Sequence, residues 1–325
     1  MRAVVVERLE GPEGLVVTDR PEPRAEGAVL VAVHAAGVSF PDLLLSRGRY
    51  QIRRDPPFVL GLEAAGTVLS APEGTGLRPG QRVVASAWDS WAETVVAPPD
   101  RVFPVPEGLS LAQGVALLMN YHTAHFGLVR RGRLRAGETL LVHGAAGGVG
   151  SAAVDLGKAV GATVIAVVSD RRKADVAAGL GADHVVIADE GWLEEVRRLS
   201  GGGVDVAFDP VTAERFDDTV RALASEGRLV VIGFAGGSIP RLAMNRVLFR
   251  NIDVVGAAWG AFVDRHPDLP AQTHAELVRL VEAGRLSPLV GAELPLERAA
   301  DALRLLEERR ATGKVVLRVR EEGGA

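Results

Sequence analysis

The stretch Glu138-Thr-Leu-Leu-Val-His-Gly-Ala-Ala-Gly-Gly-Val-Gly-Ser151 constrains the fold of this chain more than any other. A short apolar run, Leu140 to Val142, ends in a glycine-rich turn, and the turn opens a helix-forming stretch from Val149 to Val160. Strand, tight turn and helix start, in that order, suit a dinucleotide pyrophosphate. First-turn N–H groups lack intrahelical acceptors and point at the phosphates, and absent side chains let the backbone come close. The spacing departs from G-x-G-x-x-G: counting back from Gly150 gives Gly147 and then Ala145. Glycine-rich turns also serve plain structural purposes, so the pattern gains weight only from its context.

That context is an alternation of strand and helix. Strands are expected at 139–143, 163–168, 184–187, 204–208, 228–232 and 252–256, with helices at about 149–160, 171–180, 190–199 and 213–224. Six apolar strands separated by helices imply a parallel sheet covered on both faces, with right-handed crossovers. Before it, residues 1–110 carry short β-branched runs (Val4-Val5-Val6, Val29 to Val33, Gly66 to Leu69, Arg82 to Ala85, Ala92 to Val96) between Pro/Gly turns, the rhythm of a partly closed β-barrel. After it come two helices, Gln272 to Ala283 and Leu296 to Arg309, and a strand, Lys314 to Val319, expected to return to the N-terminal domain. The expected division is 1–115 with 262–325, and 116–261.

A chain of 325 residues exceeds one ordinary core. Its net charge of −4 offers no basic field for nucleic acid or an anionic membrane. No apolar run approaches the roughly 20 residues that span a bilayer. The first residues lack a signal-peptide apolar core, so a cytoplasmic protein is expected. The absence of cysteine excludes disulfides and thiolate-bound metal. Only Lys158, Lys173 and Lys314 are lysines among the 37 basic residues.

In a dinucleotide fold the end of the second strand selects the cofactor. A carboxylate there holds a ribose 2′-hydroxyl, whereas small polar and basic groups accept a 2′-phosphate. Here Thr163 to Val168 is followed by Ser169-Asp-Arg-Arg-Lys173. Asp170 lies 20 residues past Gly150, as an NAD-binding carboxylate would, yet it also falls in the first turn of the next helix, where the dipole alone favours it. Ser169, Arg172 and Lys173 could surround a phosphate, so NADPH is the preferred reading.

Beyond these patterns, Ala36-Gly-Val-Ser-Phe-Pro-Asp42, Gly61-Leu-Glu-Ala-Ala-Gly66, Asn120-Tyr-His-Thr-Ala124, Val142 to Gly150, Leu180-Gly-Ala-Asp-His-Val185 and Thr312-Gly-Lys-Val-Val-Leu317 run through the chain. With them the sequence resembles, over its whole length, the zinc-independent quinone oxidoreductases of the medium-chain dehydrogenase/reductase superfamily, the group that includes ζ-crystallin. The resemblance implies an α/β protein: a GroES-like β-barrel domain plus a Rossmann doubly wound sheet of order 3-2-1-4-5-6, with the nicotinamide between them. Zinc-dependent relatives carry Cys near position 39 and His at position 62, where this chain has Ser39 and Leu62; no metal is expected. Without a Lewis acid, alcohol oxidation loses its main stabiliser. What the resemblance implies is NADPH-dependent reduction of a quinone; the alternatives are an enoyl or alkenal double-bond reductase and a non-catalytic NADPH-binding protein. A homodimer joined through the sixth strands is the family expectation. One departure is Ala188, where NADPH-reading relatives often have Tyr.

The candidate residues follow. Ser39 stands where relatives place an asparagine near the nicotinamide ribose; with Phe40 and Asp42 it forms one cofactor-binding loop, though Asp42 alternatively caps Leu43 to Ser46. Tyr50 either hydrogen-bonds the acceptor or packs under the loop; Tyr50 and Ser39 are the catalytic candidates. Glu63 is either part of the site or a structural carboxylate holding a buried arginine. Thr123 resembles the threonine beside the carboxamide. Gly147, Gly148 and Val149 hold the pyrophosphate. Gly233, Phe234 and Ala235 end the fifth strand and Trp259 the sixth, on the edge where open sheets bind ligands. Arg310 or Lys314 reaches the cofactor, or Lys314 lies at the surface. His34, His125, His143 and His184 read as core histidines.

Overall fold

The computed structural model describes residues 1–321, and their contacts separate them into two units. The first comprises Met1–Met119, Pro267–Glu282 and Pro288 onward; the second comprises Asn120–His266 with Ala283–Ser287.

Valine dominates the early strands of the first unit, and β-branched side chains suit a pleated, buried surface. β1 (Arg2–Val6) pairs antiparallel with β2 (Leu15–Asp19). β3 (Val29–Val38) is almost wholly buried and leads into α1 (Phe40–Ser46). β4 (Phe58–Val59) adds to β1; β5 (Glu63–Ser70), β6 (Arg82–Ser86), β7 (Thr94–Ala97) and β8 (Val102–Pro104) build outward from β3. Val31, Val33, Leu43, Leu45, Phe58, Val83 and Trp91 fill the core. α2 (Leu111–Ala116) carries a capping box, in which Ser110 Oγ accepts from Gln113 N and Gln113 Oε1 from Ser110 N.

The helix does not stop there. π-helical turns continue it over Leu117–Tyr121 and Phe126–Arg131, around α3 (His122–His125). No helix was expected here, because the run is apolar on nearly every side and shows no 3.6-residue stripe.

The second unit alternates as expected: β9 (Thr139–His143), α4 (Gly148–Val160), β10 (Thr163–Val168), α5 (Arg171–Gly179), β11 (His184–Ile187), α6 (Trp192–Leu199), β12 (Val204–Asp209), α7 (Phe216–Ala222), β13 (Leu223–Val231), α8 (Met244–Arg250), β14 (Asp253–Gly256) and α9 (Trp259–Val263). Every pairing is parallel and the strand order is β11-β10-β9-β12-β13-β14, the Rossmann order 3-2-1-4-5-6. Trp259 therefore opens a helix rather than ending the sixth strand: β14 stops at Gly256.

The chain then supplies α10 (Leu269–Glu282), β15 (Val290–Pro295), α11 (Ala299–Glu307) and β16 (Lys314–Arg318). β16 returns to the barrel and pairs antiparallel with β3, Val315 facing Val38 and Leu317 facing Ala36. β15, unforeseen from sequence, is the edge strand beside β16. Residues 283–287 stay with the second unit, where Ser287 N donates to Asp155 Oδ2 at 2.9 Å. No helix among the described residues is long and apolar enough to cross a membrane.

Candidate functional site

In the second unit the expected junction of strand, glycine turn and helix start is present. β9 delivers the chain to Gly144, and α4 begins after Gly147, which has no side chain with which to cap it. The N–H groups of the first turn thus keep no intrahelical acceptor, and the 13-residue helix directs its dipole outward there. Gly150 explains the close fit of this helix to its strand: a Cβ at that position would run into the Gly144 carbonyl and crowd Ala145. Asn120, which sequence reasoning passed over, flanks the turn; its amide would be 3.0 Å from a Cβ on Gly148. These bare amides fit a dinucleotide pyrophosphate.

At the end of β10 the two readings of Asp170 separate. Asp170 is the N-cap of α5, not a first-turn residue; its Oδ1 accepts from Lys173 N at 3.0 Å and its Oδ2 from Ser169 Oγ at 2.9 Å. The carboxylate is turned into its own helix start, and its pKa is held below the usual range by that backbone bond first. Lys173 Nζ donates to Ser169 Oγ at 3.0 Å, and Arg172 is exposed beside them. Ser169, Arg172 and Lys173 are therefore brought together.

Further along the same sheet edge, Gly233, Phe234 and Ala235 lie just past β13, after Ile232, with Phe234 exposed. The segment after β12 carries a signal that sequence reasoning missed. Asp209 Oδ1 accepts from both Val211 N and Thr212 N, and Thr212 and Ala213 both adopt positive φ (54° and 65°). Two consecutive non-glycine residues in that region store strain, and such strain concentrates at ligand sites. Thr123 is half-buried in α3. Trp259 packs against His122 and Phe126, with centroids 5.5 Å away in each case. Tyr121 donates to Asp155 at 2.6 Å in the interior. His34, His125 and His143 are buried as expected; His184 is half-buried. His143 Nε2 meets Thr219 Oγ1 at 2.9 Å, and burial lowers its pKa, so it is neutral.

In the first unit the register of three strands assembles a second group. Val315 faces Val38 and Ala64 faces Ala36, so one step along each ladder Lys314 comes opposite Ser39 and Glu63 opposite Gly37. Gly37 leaves the room: a Cβ there would sit 2.6 Å from the Glu63 carboxylate. Lys314 and Glu63 are each 1% exposed and form an ion pair. Two expectations are corrected here. Glu63 holds a lysine rather than an arginine, and Lys314 is a core residue rather than a surface one, because the antiparallel return of β16 carries it inside.

Lys314 Nζ also donates to Ser39 Oγ at 2.7 Å, Ser39 Oγ donates to Glu63 Oε1 at 2.9 Å, and Met119 N donates to Glu63 Oε2 at 3.1 Å. An ammonium only donates and a carboxylate only accepts. The Ser39 proton is therefore committed to Glu63, and its one remaining lone pair can only accept.

Asp42 also departs from expectation. The helix begins at Phe40, so Ser39 is the N-cap and Asp42 the third helical residue, its Oδ2 accepting from Ser39 N at 2.8 Å. Asp42 is fully buried, and burial pushes its carboxyl up to about 8 against the opposing pull of Ser39 N and Lys314. Its Oδ1 is the buried side-chain polar atom left without a partner among the described residues. Phe40 and Tyr50 are half-buried against the barrel core. Burial raises the Tyr50 pKa, and the charge of Asp42 raises it further, so the phenol stays protonated. Arg310 is exposed and paired with Glu308 at 2.6 Å.

Zinc does not fit these residues. Ser39 is spent on Lys314 and Glu63, Leu62 has no donor atom, and among the described residues no three His, Asp or Glu side chains could hold a metal ion together.

Residues 25–107 match the alcohol dehydrogenase GroES-like domain, and residues 148–279 match the zinc-binding dehydrogenase family. Quinone oxidoreductase-like protein 2 of Mus musculus is 35% identical over 302 residues, 91% of this chain and 86% of that protein. A probable oxidoreductase from Mycobacterium abscessus superposes with a TM-score of 0.91 at 46% identity, over 98% of this chain and 99% of that one. The quinone oxidoreductase of Thermus thermophilus, solved also as its complex with NADPH, superposes with a TM-score of 0.84 at 35% identity, over 98% of this chain and 100% of that one.

Proposed function

Because the chain belongs to the medium-chain dehydrogenase/reductase superfamily, with quinone oxidoreductase-like relatives along its whole length, we propose that it is an NADPH-dependent, zinc-independent reductase of quinones. The observation that carries the cofactor is the uncapped glycine start of α4. Gly147, Gly148 and Val149 offer amides to the pyrophosphate, and Ser169, Arg172 and Lys173 offer donors to a 2′-phosphate while Asp170 faces its own helix. Bound there, the reduced nicotinamide supplies a hydride.

The protein's part is to place and to protonate. Ser39, able only to accept, accepts a hydrogen bond from a hydroxyl of the cofactor ribose; Tyr50, held as a phenol, donates to the acceptor oxygen. Thr123, Phe234 and Trp259 complete the reading as side chains around the nicotinamide, and the protein works in the cytoplasm. It also works as a dimer of two copies. β14 is the free edge of the parallel sheet, and beside it Leu248, Phe249 and Val254 are exposed apolar side chains, a surface that strand pairing with a second copy would cover.

Side-by-side oxidation of NADPH and NADH with 1,4-benzoquinone, 2-alkenals and crotonyl-CoA, on metal-analysed protein, tests the reading. NADPH with the quinone is expected to be turned over fastest. Faster enoyl turnover would transfer the activity to double-bond reduction, and a strong NADH preference would remove the phosphate assignment.

A further inference from the structure

Asn120 is a buried residue whose side-chain amide has no protein partner among the described residues. It is 8% exposed and sits in the π-helical turn Leu117–Tyr121 that prolongs α2. Its amide carries two donor hydrogens and a carbonyl oxygen, and buried polar groups of that kind are nearly always paired. Unlike Asp42 Oδ1, which is sealed in, the amide end of Asn120 keeps a contact with solvent, so a ligand can reach it. π-helical turns inside helices are rare and recur at functional sites. The amide lies against the first residue of α4. A Cβ on Gly148 would stand 3.0 Å from Asn120 Nδ2 and 3.3 Å from Oδ1, so the donor is the nearer atom. The backbone does not demand glycine at 148, where φ is not positive, and glycine is a poor helix former. What glycine supplies there is room, and the Asn120 amide occupies part of it.

We propose that Asn120 is a cofactor-binding residue, whose side-chain NH2 donates to the diphosphate of the bound dinucleotide beside the free N–H groups of the α4 start. This deepens the functional reading above and rests on its cofactor. The helix mouth is the positive end of a 13-residue dipole and draws the anion. Its backbone donors point along the helix axis, whereas the Asn120 amide approaches from the side, over Gly148. An amide suits that place better than a lysine or arginine: it adds a donor without adding a charge that would need its own partner in a buried position. The diphosphate completes the bonds that the protein leaves open at Asn120, so the residue is unpartnered only while the cofactor is away.

Calorimetric titration of the full chain, with no acceptor present, tests this on wild type, Asn120→Ala and Asn120→Asp. Three ligands separate the parts of the cofactor. NADPH and ADP-ribose 2′-phosphate share the diphosphate, and only NADPH carries the nicotinamide; 2′,5′-ADP keeps the 2′-phosphate and lacks the diphosphate. Asn120→Ala is expected to weaken NADPH and ADP-ribose 2′-phosphate by the same factor, about ten- to hundredfold, the size of one hydrogen bond to a charged group. Its affinity for 2′,5′-ADP should stay within about twofold of wild type. Asn120→Asp keeps the shape and sets a carboxylate against the diphosphate, so it should lose more on the same two ligands. A loss with NADPH alone would assign the amide to the nicotinamide half and overturn the proposal. Equal losses on all three ligands would make Asn120 a packing residue and overturn it too. Should Asn120→Ala not fold, Asn120→Asp decides: it must bind 2′,5′-ADP as wild type does and lose the other two. Wild-type protein that binds NADPH, beside variants that bind it equally well, overturns this proposal and leaves the functional reading standing. Wild-type protein that binds neither NADPH nor 2′,5′-ADP fails the functional reading and removes the Asn120 contact with it.

Discussion

Removing the ammonium of Lys314 is the most direct perturbation of the barrel group. Lys314→Met keeps the length of the side chain and deletes its charge, leaving Glu63 1% exposed with two donors, Ser39 Oγ at 2.9 Å and Met119 N at 3.1 Å. Breaking a buried pair from one side costs about 3–5 kcal/mol, since a desolvated charge is left behind. The two surviving hydrogen bonds to a charged group contribute about 1.5–3 kcal/mol each and place the expected loss near the lower end, about 3 kcal/mol. Lys314→Met with Glu63→Gln removes both charges and keeps an amide that can bond Ser39 and Met119. The double variant is expected within about 1–2 kcal/mol of wild type, because neutral replacement of a buried pair is often tolerated. Two units that unfold separately would blur a whole-chain transition, so the readout is hydrogen exchange of the β3, β5 and β16 amides under native conditions, which gives the opening free energy of this region. A single-variant loss below about 1 kcal/mol, or a double variant as weak as the sum of the singles, would refute the idea that the pair is a compensated buried charge.

Three further outcomes are expected. Gly150→Ala pushes a Cβ into the Gly144 carbonyl; overpacking of this kind costs about 1–3 kcal/mol, and displacement of the α4 start should weaken NADPH binding at least tenfold in a fluorescence titration, so unchanged affinity would remove the close-fit role of this glycine. Asp42, with a folded-state pKa of about 8 against an ordinary 3.8, holds a proton that the unfolded chain releases. Its contribution to stability is therefore greatest below pH 4 and falls as pH rises to about 8, by at most about 1.4 kcal/mol per pH unit. Asp42→Asn should gain on wild type across that window in urea midpoints at pH 5 and pH 8, and parallel curves would contradict the assignment. Phe249→Arg, at a side chain 79% exposed beside β14, should convert a dimer to monomer in sedimentation without lowering Tm; a monomeric wild type would end the dimer reading.

The parallel sheet was legible because strands buried on both faces read as uninterrupted apolar runs, as Val164 to Val168 and Val206 to Phe208 do. The same property hid the helix from Leu111 onward, whose apolar residues lie on every side and erase the periodic stripe. β15 escaped because an edge strand containing Gly291 and ending at Pro295 carries neither alternation nor an apolar run. Within the candidate site, local groupings could be read: Gly147 to Gly150 and Ser169 to Lys173 each lie within one strand–helix junction. The barrel group could not, since Lys314 and Glu63 are 251 residues apart and meet only after two strand registers have been fixed. One trace of it was nevertheless in the composition. In a chain where 34 of 37 basic residues are arginine, a lysine inside the apolar run Lys314 to Leu317 marks a place that a wide guanidinium does not fill. Lysine's compact ammonium can enter between Ser39 and Glu63, whereas the fork of an arginine would need more acceptors than these two oxygens provide. Lys314→Arg is therefore expected to destabilise the same amides as Lys314→Met despite keeping the charge, and an arginine variant with wild-type exchange in β3, β5 and β16 would show that charge alone, not the size of its carrier, set this position.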